Sequence, residues 1–168
     1  LNIRGKGLNG ALTAPNSAFV MFSATAATGA NPTSESVNFV DLNLRGTNAA
    51  AAAYVIDQKL LRANFVSTRF KAIKFANSPI YQQSIRLINT EARGWNGTFW
   101  ANGNTLYDCG LINARFEGQG VGGRGIDTVF ALGSRIIGSL FEGALGGFYR
   151  QSGGSGVAVL ANYTQGKA

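Results

Sequence analysis

Two glutamates, Glu117 and Glu142, are the carboxylates whose position in this sequence favours a catalytic role. Each is followed by glycine and preceded by phenylalanine, in ten-residue segments that share one pattern. If these segments form adjacent parallel strands, the two carboxyls approach the separation of roughly 5 to 5.5 Å found in retaining glycosidases. The pair would then supply an acid and a base or nucleophile, so both are candidate catalytic residues.

The equivalent position in three earlier segments carries a cation: Arg45, Lys71 and Arg93. Three stacked cations and a formal net charge of +7 favour an anionic partner. An acidic surface polysaccharide, lipopolysaccharide phosphate or nucleic acid would each fit. Trp95 and Tyr107, with Tyr81, offer rings that stack on sugars.

A structural interpretation of the same residues stays open. The column is then a solvated charged face, and the aromatic residues pack between subunits. Arg93 and Arg115 would be near neighbours of Glu117 and Glu142 in the stacked segments. A ladder of structural ion pairs would therefore explain the same residues.

Other catalytic arrangements have weaker support. Asp108 and Asp127 are further candidate acids, and Arg115 with Tyr107 would be the basic residue and tyrosine of a lyase. The sequence contains no histidine, which argues against zinc sites and Ser-His-Asp chemistry. We expect no metal and no cofactor. The single cysteine, Cys109, is expected to be a small core residue, and the glycine-rich segment 118–125 a surface loop.

The elements that would position these residues form a repeat. The pattern begins at 37–46 (VNFVDLNLRG) and returns at 63–72, 85–94, 109–118, 134–143 and 157–166. The third residue of each unit is large and apolar, the fifth mostly suits a bend, and the last is glycine in five of six units. Spacings of 22 to 26 residues between third positions predict the coils of a solenoid, each with a strand, a bend and a short second strand.

A second family of strands keeps the same period. Its members are predicted at 19–22, 53–56, 72–75, 98–101, 128–131 and 147–150. Two strand families in register favour a parallel β-helix over a propeller, whose blades need four antiparallel strands each.

The fourth position of every unit is a branched apolar residue. Strand alternation sends it outward if the third position points inward. The column contains Val40, Val66, Ile88, Ile112, Ile137 and Leu160. It would form an apolar stripe about 25 Å long. Either other copies of the chain cover this stripe in an oligomer interface, or the bend tucks it into the corner of its own core.

The repeat resembles a known family. Its pattern is apolar, any, Asn or Asp, small, any, Phe or Leu, any, Gly, clearest at 39–46 and 111–118. This is similar to the right-handed parallel β-helix repeat of pectate-lyase-like proteins, especially bacteriophage tailspikes and tail fibres. The resemblance covers about three quarters of the chain.

That resemblance implies an all-β, right-handed parallel β-helix of about six to seven coils. It also implies a homotrimer in the virion tail that acts at the host cell surface, beside other tail proteins. The function implied is structural, with binding of a bacterial surface polysaccharide. A polysaccharide depolymerase, either hydrolase or lyase, is the alternative, and nucleic-acid binding through the basic column is a third.

Length and composition bound the organisation of the chain. Its 168 residues suit one domain, 1–168, with an irregular first coil at 1–36 and regular coils at 37–168. No apolar run is long enough to cross a membrane, so we expect no membrane insertion. The chain lacks an initial Met and a polar cap after Tyr163, so we expect it to be a piece of a longer protein.

Overall fold

The molecule is built from β-strands in three parallel sheets. The computed structural model describes residues 1–5, 11–13, 19–22, 37–46, 53–56, 62–78, 82–95, 97–117, 124–130, 133–142, 149–151 and 156–165. All regular elements within these ranges are strands, and every strand pair in them is parallel. The all-β parallel β-helix predicted from the repeat is therefore confirmed.

The first four residues of each repeat unit supply the first sheet. Its strands follow one another in chain order: Asn2–Arg4, Val37–Val40, Ala63–Val66, Ile85–Ile88, Gly110–Ile112, Arg135–Ile137 and Ala158–Leu160. The last part of each unit supplies the second sheet, in the same order: Leu12–Thr13, Asn43–Arg45, Arg69–Lys71, Glu91–Arg93, Arg115–Glu117, Leu140–Glu142 and Tyr163–Gln165. One ten-residue unit thus contributes to two faces of the coil.

The third sheet contains the second strand family. Its strands are Phe19–Phe22, Ala53–Ile56, Lys74–Ser78, Thr98–Tyr107, Arg124–Phe130 and Tyr149–Gln151, and Gln82–Gln83 pairs with Thr98–Tyr107. The first two match their predicted bounds, whereas the predictions at 72–75, 128–131 and 147–150 were shifted by up to four residues. Thr98–Tyr107 extends well beyond the predicted 98–101, with a change of register between Ala101 and Thr105.

Equivalent residues of successive units lie side by side. Phe39 pairs with Phe65, and Leu87 pairs with Phe65 and Leu111. The first coil obeys the same register, since Ile3 pairs with Phe39 although 36 residues separate them along the chain. Each position of the repeat therefore forms a column that runs across the strands.

Inward columns of apolar residues form the core. The third and eighth positions are buried from the second coil to the sixth, and their aromatic rings pack along the axis. The rings of Phe39 and Phe65 stack with centroids 4.4 Å apart, and those of Phe116 and Phe141 with centroids 5.3 Å apart. Such contacts add to the free energy gained by removing apolar area from water.

Ala92 is the small member of the eighth column, between Phe70 and Phe116. The ring of Phe99, from the third sheet, fills the space that this alanine leaves. Its centroid is 5.5 Å from that of Phe70 and 5.3 Å from that of Phe116. A large side chain at position 92 would therefore compete with Phe99 for the same volume.

A left-handed residue joins the first sheet to the second in every unit. The fifth residues Asp41, Ser67, Asn89, Asn113, Gly138 and Ala161 all have φ between 50° and 60°. This region of backbone conformation suits Gly, Asn and Asp, because other side chains crowd the following carbonyl. The bend predicted at the fifth position is confirmed in all six units.

The fourth-position stripe lies on the outer face of the first sheet. Val40, Val66, Ile88, Ile112 and Ile137 are half-buried, and Leu160 is 57% exposed. None of the six belongs to the buried core, so the structure does not support the alternative in which the bend tucks them inside. Beside the stripe, Asn64 donates to Asn38 and Asn38 to Asn2, each at 2.9 Å.

Cys109 lies in an inward column, as predicted for a small core residue. It is a free thiol and is buried. Its Sγ accepts the Ile85 N–H at 3.4 Å and donates to the Tyr107 carbonyl at 3.3 Å. Burial raises the pKa of this thiol to about 12, so it stays protonated and unreactive at neutral pH.

Two glycines at the last position of the unit provide a test of this packing. A Cβ on Gly46 would overlap the carbonyl oxygen of Ala72 on the next coil, whereas a Cβ on Gly94 meets nothing within 4 Å. Gly46→Ala should therefore lower the free energy of unfolding by roughly 3 kcal/mol. Gly94→Ala adds only the cost of a left-handed alanine, about 1 kcal/mol, as Ala72 already illustrates with a φ of 53°. Equal losses in urea unfolding would contradict this close approach of coils.

Candidate functional site

The outer face of the second sheet carries most of the candidate residues. Each strand of this sheet in the repeat units has three residues, and in the first five units the middle one points into the core. Alternation therefore sends the seventh and ninth residues of each unit outward, in two parallel columns. The register confirms the predicted ninth column, because Lys71 pairs with both Arg45 and Arg93.

The three cations of this column border a cavity of about 270 Å³. Its lining consists of Asn43, Arg45, Arg69, Phe70, Lys71, Glu91 and Arg93. Four cations and one carboxylate give the lining a formal charge of +3. Asn43, Arg69 and Glu91 were not singled out from the sequence, although they occupy the seventh column, which shares the outer face with the ninth.

Glu91 holds two of the four cations in place. Its Oε2 lies 2.9 Å from the Nε of Arg69, and its Oε1 accepts an ion-paired hydrogen bond from Arg93. The other two cations have no carboxylate partner among the described residues. Arg45 donates to the Oδ1 of Asn43 at 3.5 Å, and Lys71 is exposed. Within the described part of the chain, the uncompensated positive charge of this cavity is therefore concentrated on Arg45 and Lys71.

Glu117 and Glu142 are neighbours in the same column, as the sequence predicted. Each carboxylate also has an arginine beside it. Arg93 Nε lies 3.3 Å from Glu117 Oε2, and an Arg115 nitrogen lies 2.8 Å from Glu142 Oε2. The hydrogen bond that Arg115 donates to Glu142 raises the pKa of Arg115. The ladder of ion pairs expected as the structural interpretation is thus present, and the catalytic role of the pair stays a hypothesis.

A second cavity adjoins the first at the bend between the first and second sheets. It measures about 450 Å³ and is lined by Ser67, Thr68, Arg69, Asn89, Thr90, Glu91, Arg93, Asn113 and Arg115. Arg69, Glu91 and Arg93 line both cavities. The left-handed residues Asn89 and Asn113 present their amides here, with Asn113 Nδ2 donating to Asn89 Oδ1 at 3.4 Å. Hydroxyl and amide groups therefore flank the basic cavity.

Trp95 was wrongly predicted as a surface ring for sugar stacking. It is 2% exposed, and its ring packs 5.4 Å from that of Phe99 and 6.1 Å from that of Phe116. The indole therefore belongs to the core, beside these two rings. Tyr107 is half-buried at the end of Thr98–Tyr107 in the third sheet, away from the basic column on the second.

Three other candidates lie outside the described part of the chain. They are Tyr81, the side chain of Asp127 and the glycine-rich residues 118–123.

Asp108 forms a separate charged cluster at the corner where the chain passes from the third sheet into the first. Its carboxylate accepts hydrogen bonds from Ser84, at 2.9 Å, and from Arg86, and it lies 3.9 Å from Arg135. Partial burial alone would raise the pKa of Asp108, but the hydrogen bonds and the two positive charges outweigh it and lower that pKa. The carboxylate is therefore an ionised anchor between coils.

Fold and site together define a three-sheet parallel β-helix with a basic cavity on one face. Comparison with protein-family models, with curated proteins and with solved structures gave no match. The resemblance to pectate-lyase-like and tailspike repeats accordingly depends on the residues of the repeat. Among the described residues, no cluster of His, Cys, Asp and Glu could hold a metal ion. The same ranges contain no apolar helix of membrane-spanning length.

The lowered pKa of Asp108 predicts a dependence of stability on pH. A carboxylate whose pKa is lower in the folded state stabilises the fold above its unfolded pKa of about 3.9, and loses this effect as pH falls through the folded pKa. Asp108→Asn should therefore be less stable than wild type at pH 7, and nearly equal to it at an acid pH below the lowered folded pKa, where the carboxyl is protonated in the folded state as well. Urea unfolding at the two pH values measures this difference.

Asp41→Asn is the matched control for this experiment. It makes the same change at another left-handed aspartate, which has no arginine partner among the described residues. A pH-dependent difference of equal size at Asp41 would show that the Asp108 cluster has no special role.

Proposed function

We propose that this chain is a β-helix segment of a bacteriophage tailspike or tail fibre, and that it binds an acidic polysaccharide of the bacterial surface. The repeat pattern supports the family, and the basic cavity supports the ligand. In this proposal the apolar stripe on the first sheet packs against other copies in a homotrimer, at the virion tail and beside other tail proteins.

The observation that carries the ligand proposal is a pair of cations in the cavity of the second sheet, Arg45 and Lys71, which have no carboxylate partner among the residues that the structure describes. A single exposed ion pair contributes little, about 0.2 to 1 kcal/mol. A polymer with many negative charges meets several cations at once, on strands that already hold them in register. The backbone on the protein side of the complex therefore needs little further ordering.

The surroundings of the cavity favour a glycan over a nucleic acid. Single-stranded nucleic acids are usually held by exposed aromatic rings on which bases stack. The aromatic residue in the described lining is Phe70, which is buried. The adjoining cavity instead presents Ser67, Asn89 and Asn113, whose hydroxyl and amide groups form hydrogen bonds with sugar hydroxyls.

Reversal of one charge tests this proposal. Lys71→Glu should weaken binding to an acidic capsular polysaccharide about tenfold or more, because an attraction becomes a repulsion in the middle of the column. Arg62→Glu is the matched control: it reverses an exposed charge of the same chain at the corner before the first sheet, and should change the affinity less than twofold. Calorimetric titration at two salt concentrations measures both.

Two results would contradict the proposal. One is an equal effect of the two variants. The other is tighter, more salt-sensitive binding to DNA than to the polysaccharide, which would favour the nucleic-acid alternative.

A polysaccharide depolymerase is the second candidate, because Glu117 and Glu142 are direct neighbours in register. If they are the catalytic pair, Glu117→Gln and Glu142→Gln should each abolish the release of reducing ends from the capsule that the chain cleaves, since one carboxyl must protonate and the other attack. Circular dichroism would establish that the variants fold. Unchanged cleavage would remove this pair as the catalytic residues.

A further inference from the structure

The described lining of the basic cavity on the second sheet brings four cations together around one carboxylate. This arrangement suits a compact ligand of high charge. We propose that the cavity is a binding site for a phosphoryl dianion, either inorganic phosphate or the phosphate monoester of a small molecule. The inference goes beyond polysaccharide binding, since it concerns one group in one cavity and needs no polymer.

Like charges lie directly opposite one another in this cavity. Lys71 pairs with Arg45 on one side and with Arg93 on the other, at about 4.8 Å from strand to strand. Like charges at opposite positions of neighbouring strands destabilise a sheet. Glu91 is the one carboxylate in the described lining, so it offsets a single charge among four. A bound anion relieves the repulsion that remains.

The arginines of the cavity are anchored, yet they keep hydrogen-bond donors for a ligand. Glu91 forms ion pairs with Arg69 and Arg93, and the Oδ1 of Asn43 accepts from the Nε of Arg45. A guanidinium has five N–H donors, so each arginine retains donors beyond those that its neighbours use. The side chains of Arg69 and Arg93 are about half exposed. Guanidinium groups held in this way can donate paired hydrogen bonds to the oxygens of a phosphoryl group.

Charge and size favour a phosphoryl group over a single carboxylate. Arg45 and Lys71 have no carboxylate partner among the described residues, so two positive charges of the lining need an anion. A phosphate monoester carries a charge of about −1.5 to −2 at pH 7, whereas a carboxylate carries one negative charge. The cavity of about 270 Å³ has the volume of roughly nine water molecules. It therefore has room for one phosphoryl group and a small substituent.

Small ligands that differ in their charged group provide the first test. Glucose 6-phosphate should bind about fivefold more tightly than glucuronate, which has the same kind of sugar ring with a carboxylate, because it forms one further ion pair. Titration calorimetry at low salt measures both affinities. Glucuronate that binds as tightly as glucose 6-phosphate, or the absence of binding by any phosphate, overturns the inference.

Inorganic phosphate, titrated in the same way, distinguishes the two sources of the phosphoryl group. An affinity equal to that of glucose 6-phosphate, or higher, assigns the site to free phosphate. A lower affinity assigns it to a monoester, since the sugar then adds contacts of its own.

Removal of one charge provides the second test. Lys71→Gln should weaken the binding of glucose 6-phosphate about fivefold, because one ion pair is lost. In phosphate-free buffer at low salt, the same variant should unfold at a higher urea concentration than wild type, since a like charge is removed from between Arg45 and Arg93. Arg62→Gln is the matched control: it neutralises an exposed cation before the first sheet, and should change the affinity less than twofold.

Unchanged binding of the phosphate by Lys71→Gln contradicts the proposed site, and a lower urea midpoint contradicts the repulsion from which it is inferred. If Lys71→Gln does not fold, Arg45→Gln removes a neighbouring charge of the same cavity, and unchanged binding in that variant has the same meaning.

These results separate the inference from the proposed function. If the capsule binds through Lys71 but neither phosphate does, only the inference fails. If a phosphate binds through Lys71 and the capsule does not, the polysaccharide proposal fails and the inference stands.

Discussion

Hydrogen bonds between successive coils place each residue beside its equivalent one repeat away. The ladder continues through the corners: the bend N–H of Asp41 donates to Val66 O at 3.0 Å, and that of Asn89 to Ile112 O at 2.9 Å. Because strands and bends share one register, an inward position stays inward along the molecule and an outward position stays outward. The aromatic core, the apolar stripe and the charged column are consequences of that single constraint.

The bends between the first and second sheets restrict which residues can occupy the fifth position of each unit. Left-handed bends confine one position to small or polar residues, and Gly138 with Asn113 illustrates both solutions. Where polar side chains turn inward, they bond the backbone of the neighbouring coil. Ser139 Oγ accepts the Ala114 N–H at 3.3 Å, and Asn162 Oδ1 accepts the Ser139 N–H at 2.9 Å. Buried polar groups that form such hydrogen bonds link neighbouring coils and avoid the cost of a buried polar group without a partner.

Much of this architecture could be predicted from the sequence, because two periods, that of the repeat and that of a strand, determine which residues lie side by side and which point inward. The repeat of about 24 residues places Phe39 beside Phe65, and alternation along a strand separates Phe65 from Val66. The burial of Trp95 could not be predicted in this way, because Trp95 follows the unit 85–94 and neither period assigns a direction to its side chain. The pairing of Arg93 and Arg115 with the two glutamates could be anticipated only as an alternative, because the choice depends on side-chain conformations. The seventh column, with Arg69 and Glu91, could have been found by applying alternation to the short strand as well.

The constant separation of paired strands also bears on how the chain folds. Asn64 and Asn38 are 26 residues apart, and Asn113 and Asn89 are 24 apart. From the second coil onward, each coil therefore closes a loop of nearly the same length, so the entropy lost per coil does not grow as coils are added. Once two coils have paired, every further coil can pair with strands that have already formed. The rate-limiting event should accordingly be the pairing of the first two coils, and the number of coils should matter little to it.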